Sequence, residues 1–83
     1  MTEKTKKAVL SAAEEVLGLP QDEMAENMEL DLFENELIDS MGCVAMVTEI
    51  ADLLKLRLDV EKFQPEDYTS LQTIGDAVER IAR

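Results

Sequence analysis

No histidine and no tryptophan occur among the 83 residues, cysteine occurs once, and the aromatic side chains are two phenylalanines and one tyrosine. Each scarcity excludes something. Without histidine, a Ser–His or Cys–His nucleophile pair cannot be assembled. The lone thiol, Cys43, rules out an intramolecular disulfide framework and a cysteine metal cluster. With so few aromatics the core must be aliphatic, built from Leu, Ile, Val, Ala and Met. Cations are also few: 8 basic residues stand against 19 acidic ones, a net charge of −11. Phosphate backbones and anionic lipid surfaces would be repelled, so neither nucleic acid nor membrane insertion is expected. Basic protein surfaces are the natural partners, attracted over about one Debye length, roughly 10 Å. The blander reading is that acidity only confers solubility. No segment reaches the length of a membrane span. The opening MTEKTKKAVLSAAEEVLG lacks the apolar run of a secretory leader, so a cytoplasmic location is expected.

What remains is an all-α pattern, expected to form a single domain over residues 1–83 and a monomer. A chain of this size buries a modest core and has a thin margin of stability. Val9, Ala12, Ala13, Val16 and Leu17 recur at helical spacing, predicting a first helix from about Thr2 to Leu17, stopped by Gly18 and Pro20. A long acidic connection follows, Leu19 to Ile38. Structureless loops of that length are unusual in small domains. Its apolar residues predict that it is pinned to the core, with Leu30, Phe33 and Leu37 as anchors. A second long helix is predicted from Asp39 or Ser40 to about Leu56. In the segment LDVEKFQPEDY, Val60 and Phe63 read as buried and Pro65 opens a short helical turn. The last helix, capped by Thr69 or Ser70, carries Leu71, Ile74, Val78 and Ile81 on one face; Gly75 within it costs stability unless something packs close. The fold class is therefore a small bundle of three longer helices and one short one.

The helix opening at Asp39 or Ser40 poses the functional question. Cys43, Met46, Val47, Ile50, Leu53 and Leu54 form its core stripe. On the opposite side lie Met41, Val44, Ala45 and Thr48, an uncharged outer face in a chain with 33% charged residues. A contiguous apolar patch marks a covering segment, a dimer contact or a docking surface. Ser40 has two readings as well. It is an ordinary cap or first-turn residue, or a hydroxyl placed where helix N–H groups favour an attached anion. Cys43, on the core stripe, reads as a small buried hydrophobe. Glu29, Asp31, Glu34 and Glu36 lack the glycine and spacing of an EF-hand loop, so no metal site is assigned. No catalytic residue emerges.

The stretch LFENELIDSMG resembles the prosthetic-group attachment motif of carrier proteins: the acyl, peptidyl and D-alanyl carriers. Asp39, Ser40 and Met41 stand where that family has Asp-Ser followed by a large apolar residue. The resemblance extends over nearly the whole chain and implies the acyl-carrier-protein type of four-helix bundle. It also implies that Ser40 carries 4′-phosphopantetheine, installed from coenzyme A by a phosphopantetheinyl transferase, with Asp39 helping to present Ser40 to that enzyme. The arm's thiol would hold acyl or aminoacyl groups as thioesters, loaded by a ligase and delivered to a downstream acyltransferase or synthase. Met41, Val44, Ala45 and Thr48 would then be the docking face. Gly42 and Ala45 stand where fatty-acid-type carriers have acidic residues, while Asp-Ser-Met-Gly with Phe63 and Asp67-Tyr68-Thr69 looks closer to the D-alanyl type. The alternative function is an unmodified helical protein-interaction module.

Overall fold

The computed structural model describes residues 1–82. Helix α1 spans Glu3–Leu17. Thr2 caps it, its side chain accepting from the Thr5 N–H. Gly18 ends it at φ 70°, a left-handed turn open to glycine without strain. A short helix α2, Gln21–Ala25, opens behind Pro20, where the sequence pattern marks no helix. Helix α3 spans Ser40–Leu54 and helix α4 spans Leu71–Ile81. Two 3-10 turns, Val60–Lys62 and Pro65–Tyr68, fill the segment before α4, the second begun by Pro65 as the sequence predicts. The architecture is the all-helical small bundle expected, with no strand among the described residues.

Helix α1 packs against both α3 and α4. Leu17, at the end of α1, approaches Gly42 near the start of α3, so the two helices run antiparallel. The core is aliphatic: Val9, Met46, Val47, Ile50, Leu71, Ile74 and Val78 are almost fully buried. Met1 packs against Gly75, and the glycine leaves room for that contact.

The long connection is pinned, but by other residues than predicted. Met24, Met28, Leu32 and Ile38 are the buried anchors. Leu30 and Leu37 are only partly buried, and Phe33 is 45% exposed. The physical reason lies in the backbone. Leu32 N–H donates to the Thr69 carbonyl (2.7 Å), and Gln72 N–H donates to the Met28 carbonyl (2.9 Å). These bonds fix residues 28 and 32 against the start of α4, and Leu32 turns inward, leaving its neighbour Phe33 outside. An irregular loop has no period from which such a choice can be read.

Helix α3 also ends earlier than predicted. Lys55 adopts φ 55° and ψ 46°, and Leu56 N–H donates back to the Ala51 carbonyl, closing the helix at Leu54. A lysine in the left-handed region leaves no glycine signal. Leu53, at the margin of the core stripe and in the last turn, is 44% exposed, and Leu54 is partly buried.

Candidate functional site

Asp39 and Ser40 share the start of α3 but divide its tasks. Asp39 is the N-cap, with extended backbone, and its Oδ1 accepts from Gly42 N–H at 2.7 Å. Cys43 N–H donates to the Asp39 carbonyl at 3.0 Å. Ser40 is the first residue inside the helix and is exposed. Among the described residues its hydroxyl has no hydrogen-bond partner, and the amides of Ser40 and Met41 are likewise unengaged. Those two amides, with the positive end of the helix dipole, favour an anion attached at Ser40. The Asp39 carboxylate, a like charge, opposes it, though part of its charge is satisfied by the Gly42 N–H.

Gly42 has a steric reason. A Cβ there would lie 3.1 Å from Asp39 Oδ1, 3.3 Å from Ile38 Cγ1 and 3.3 Å from Leu17 Cδ2. Glycine thus lets the cap, the preceding segment and the end of α1 close in around the first turn that holds Ser40.

The outer face is uncharged, as its sequence reads, and among the described residues it is open. Met41 is 83% exposed and Val44 is 48% exposed. Thr48 is exposed and Ala45 half-buried. The Thr48 hydroxyl donates to the Val44 carbonyl at 2.9 Å, so its polar hydrogen is used within the helix. Neither the connection nor another helix covers this face.

Four residues come to lie beside Ser40 that the sequence does not place there: Phe33, Phe63, Pro65 and Tyr68. A recess of about 280 Å3 runs from Ser40 and Val44 to Phe33, Phe63, Pro65 and Tyr68. Phe63 and Tyr68 stack at 5.7 Å between ring centroids. Phe33, expected in the core, instead extends the exposed apolar surface around Ser40; Pro65 and Tyr68 arrive from a 3-10 turn distant in sequence. Cys43 lies on the same wall and is buried, as predicted. Burial, reinforced by the Asp39 carboxylate, pushes its thiol pKa up, which disfavours the reactive thiolate. Burial also pushes the Tyr68 phenol up, with the charges of Cys43 and Asp67 adding to it. Asp67 itself is occupied: its Oδ2 accepts from Gln64 N–H at 2.8 Å and from Arg80 Nη2 at 3.0 Å. Among the described residues, no group of carboxylates and thiols is arranged to hold a metal ion. No helix is long and apolar enough to cross a membrane.

Ser40 thus stands exposed and unengaged at the start of α3, beside apolar surface. Residues 7–81 match the family model described as a phosphopantetheine attachment site. The D-alanyl carrier protein 1 of Lactiplantibacillus plantarum is 30% identical over 77 residues, which are 93% of this chain and 92% of the relative. The D-alanyl carrier protein of Streptococcus equi subsp. zooepidemicus is 25% identical over 60 residues, 72% of this chain and 76% of the relative. No solved structure matches. The chain belongs to the phosphopantetheine attachment-site family. It is a carrier protein, not itself an enzyme, and its covalent cofactor is 4′-phosphopantetheine.

Proposed function

We propose that Ser40 is the attachment residue and that the protein carries acyl or aminoacyl groups, D-alanine by likeness to its relatives, between partner enzymes in the cytoplasm. The observation that carries this reading is the Ser40 hydroxyl. It is exposed and has no partner among the described residues, because Asp39 does the capping. A serine engaged as the cap would have to give up its own hydrogen bond on modification; this one gives up nothing. When bound, the arm supplies a terminal thiol that holds the carried group as a thioester.

This chain's own residues present and orient. Asp39 fixes the first turn and thereby the direction of the Ser40 hydroxyl toward a phosphopantetheinyl transferase. Met41, Val44, Ala45 and Thr48 form the docking face for that transferase, for a loading ligase and for a downstream acyltransferase or synthase. The face is uncharged where contact is made, and the acidic connection beside it attracts basic partners at a distance. The protein acts as a monomer, since a dimer built on this face would cover Ser40.

Intact mass tests the attachment. Incubation with coenzyme A and a broad-specificity transferase should add one phosphopantetheine to the wild type and none to Ser40→Ala. An unchanged wild-type mass, or an equal gain on the variant, removes the reading.

A further inference from the structure

The chain has five methionines, and the fold treats them unequally. Met24, Met28 and Met46 are buried in the core. Met1 is 38% exposed as a residue, but its side chain is only 4% exposed and packs against Gly75. Met41 alone among the described residues presents its thioether to solvent, at 83% exposed. It stands beside Ser40 in the first turn of α3. Ser40, Met41, Val44 and Ala45 together line one shallow apolar concavity of about 420 Å3. The remaining sulfur, Cys43, lies two residues on, but it is buried and burial keeps its thiol protonated. A thioether needs no deprotonation to react with an oxidant, so exposure decides its fate. An oxidant that reaches this end of the molecule meets Met41 first.

We propose that Met41 is a site of reversible oxidative modification, at which hydrogen peroxide converts the thioether to the sulfoxide and so weakens docking at the α3 face. The inference goes beyond the carrier reading above and rests on it for the consequence. The peroxide O–O bond breaks as one oxygen bonds to Met41 Sδ. The sulfur gives up two electrons, the transferred oxygen gives up its proton, and the other oxygen leaves as water. The product is polar, chiral and a hydrogen-bond acceptor. In the free protein this costs little, because the side chain is already in water. In a dry contact with a partner the new oxygen loses that water and finds no donor on its own face. The Thr48 hydroxyl is spent on the Val44 carbonyl, and the Ser40 hydroxyl is the group that takes the arm. Methionine sulfoxide reductases, one for each epimer, return the thioether with two electrons from a dithiol.

The full chain, before arm attachment, is treated with hydrogen peroxide and its peptides are weighed. One oxygen should appear on Met41 before any other sulfur gains one, and thermal unfolding should be unchanged. With a broad-specificity phosphopantetheinyl transferase, KM for the oxidised protein should rise about tenfold, with kcat little changed. Both reductases with dithiothreitol should remove the oxygen and restore KM. Met41→Leu should give the same KM before and after peroxide, which separates Met41 from damage elsewhere. Oxygen found first on Cys43 or on a buried methionine, or a KM that peroxide leaves unmoved, overturns the proposal. The carrier reading then still stands if the untreated wild type gains its arm. A wild type that gains no arm removes both.

Discussion

Asp39 and Ser40 are adjacent, polar and both good capping residues, yet only one caps. The Asp39 carboxylate holds the Gly42 N–H at 2.7 Å. Asp39→Ala should therefore lower stability by about 1 kcal/mol. Ser40→Ala should leave it nearly unchanged, because its hydroxyl holds nothing in the described fold. Urea unfolding of the two variants separates them. Glu79 is a second residue with a defined task. It accepts from Thr2 N–H at 2.8 Å and lies 3.5 Å from the Met1 amino group. The Thr2 backbone bond, with help from the Thr5 and Thr2 hydroxyls and the terminal amine, holds its pKa down to about 2, against an ordinary 4.5. A depressed folded-state pKa contributes stability that is complete above the ordinary value and is lost as pH falls through the folded one. The stability gap between wild type and Glu79→Gln should narrow from about pH 4.5 down to about pH 2. A gap constant over that window would mean the contact with the N-terminus does not persist in solution.

At the scale of elements, helix ends decide how the chain enters and leaves the site. Gly18 turns the chain at φ 70° in open space, with nothing within 4 Å of where a Cβ would stand. Gly18→Ala should cost about 1–2 kcal/mol through backbone strain alone. Thermal unfolding would register it, and the arm-acceptor activity of the folded protein should be unaffected. The three long helices were legible because each buries a stripe at regular spacing and each has a recognisable start: Thr2, Asp39 and Ser70 all accept a backbone N–H three residues on. The close of α3 was not legible, since Lys55 takes a conformation usually left to glycine. Nor were the anchors of the connection, because Leu32 and Phe33 are neighbours of similar character. Which of them turns inward depends on a hydrogen bond to Thr69, thirty-seven residues away.

Across the whole molecule the charge is poorly compensated. Among the described residues only two ion pairs form, Arg80 with Asp67 and the N-terminus with Glu79, against a net −11. Self-repulsion should then weaken the fold at low ionic strength, and added salt should raise Tm. A Tm indifferent to salt would show that the acidic groups lie too far apart to interact. In the function proposed, the same imbalance would serve docking, because the field that weakens the fold would attract a basic partner.

The three long helices, the single thiol's burial, the serine at the start of α3 and the uncharged face beside it could be named from the residues in order. Each depends on local spacing or on composition, which a linear chain carries in full. The recess formed by Phe33, Phe63 and Tyr68, and the approach of Leu17 to Gly42 where α1 meets α3, were settled only on folding. Both join distant segments, and their shapes follow from backbone hydrogen bonds and close helix approach that no local pattern records.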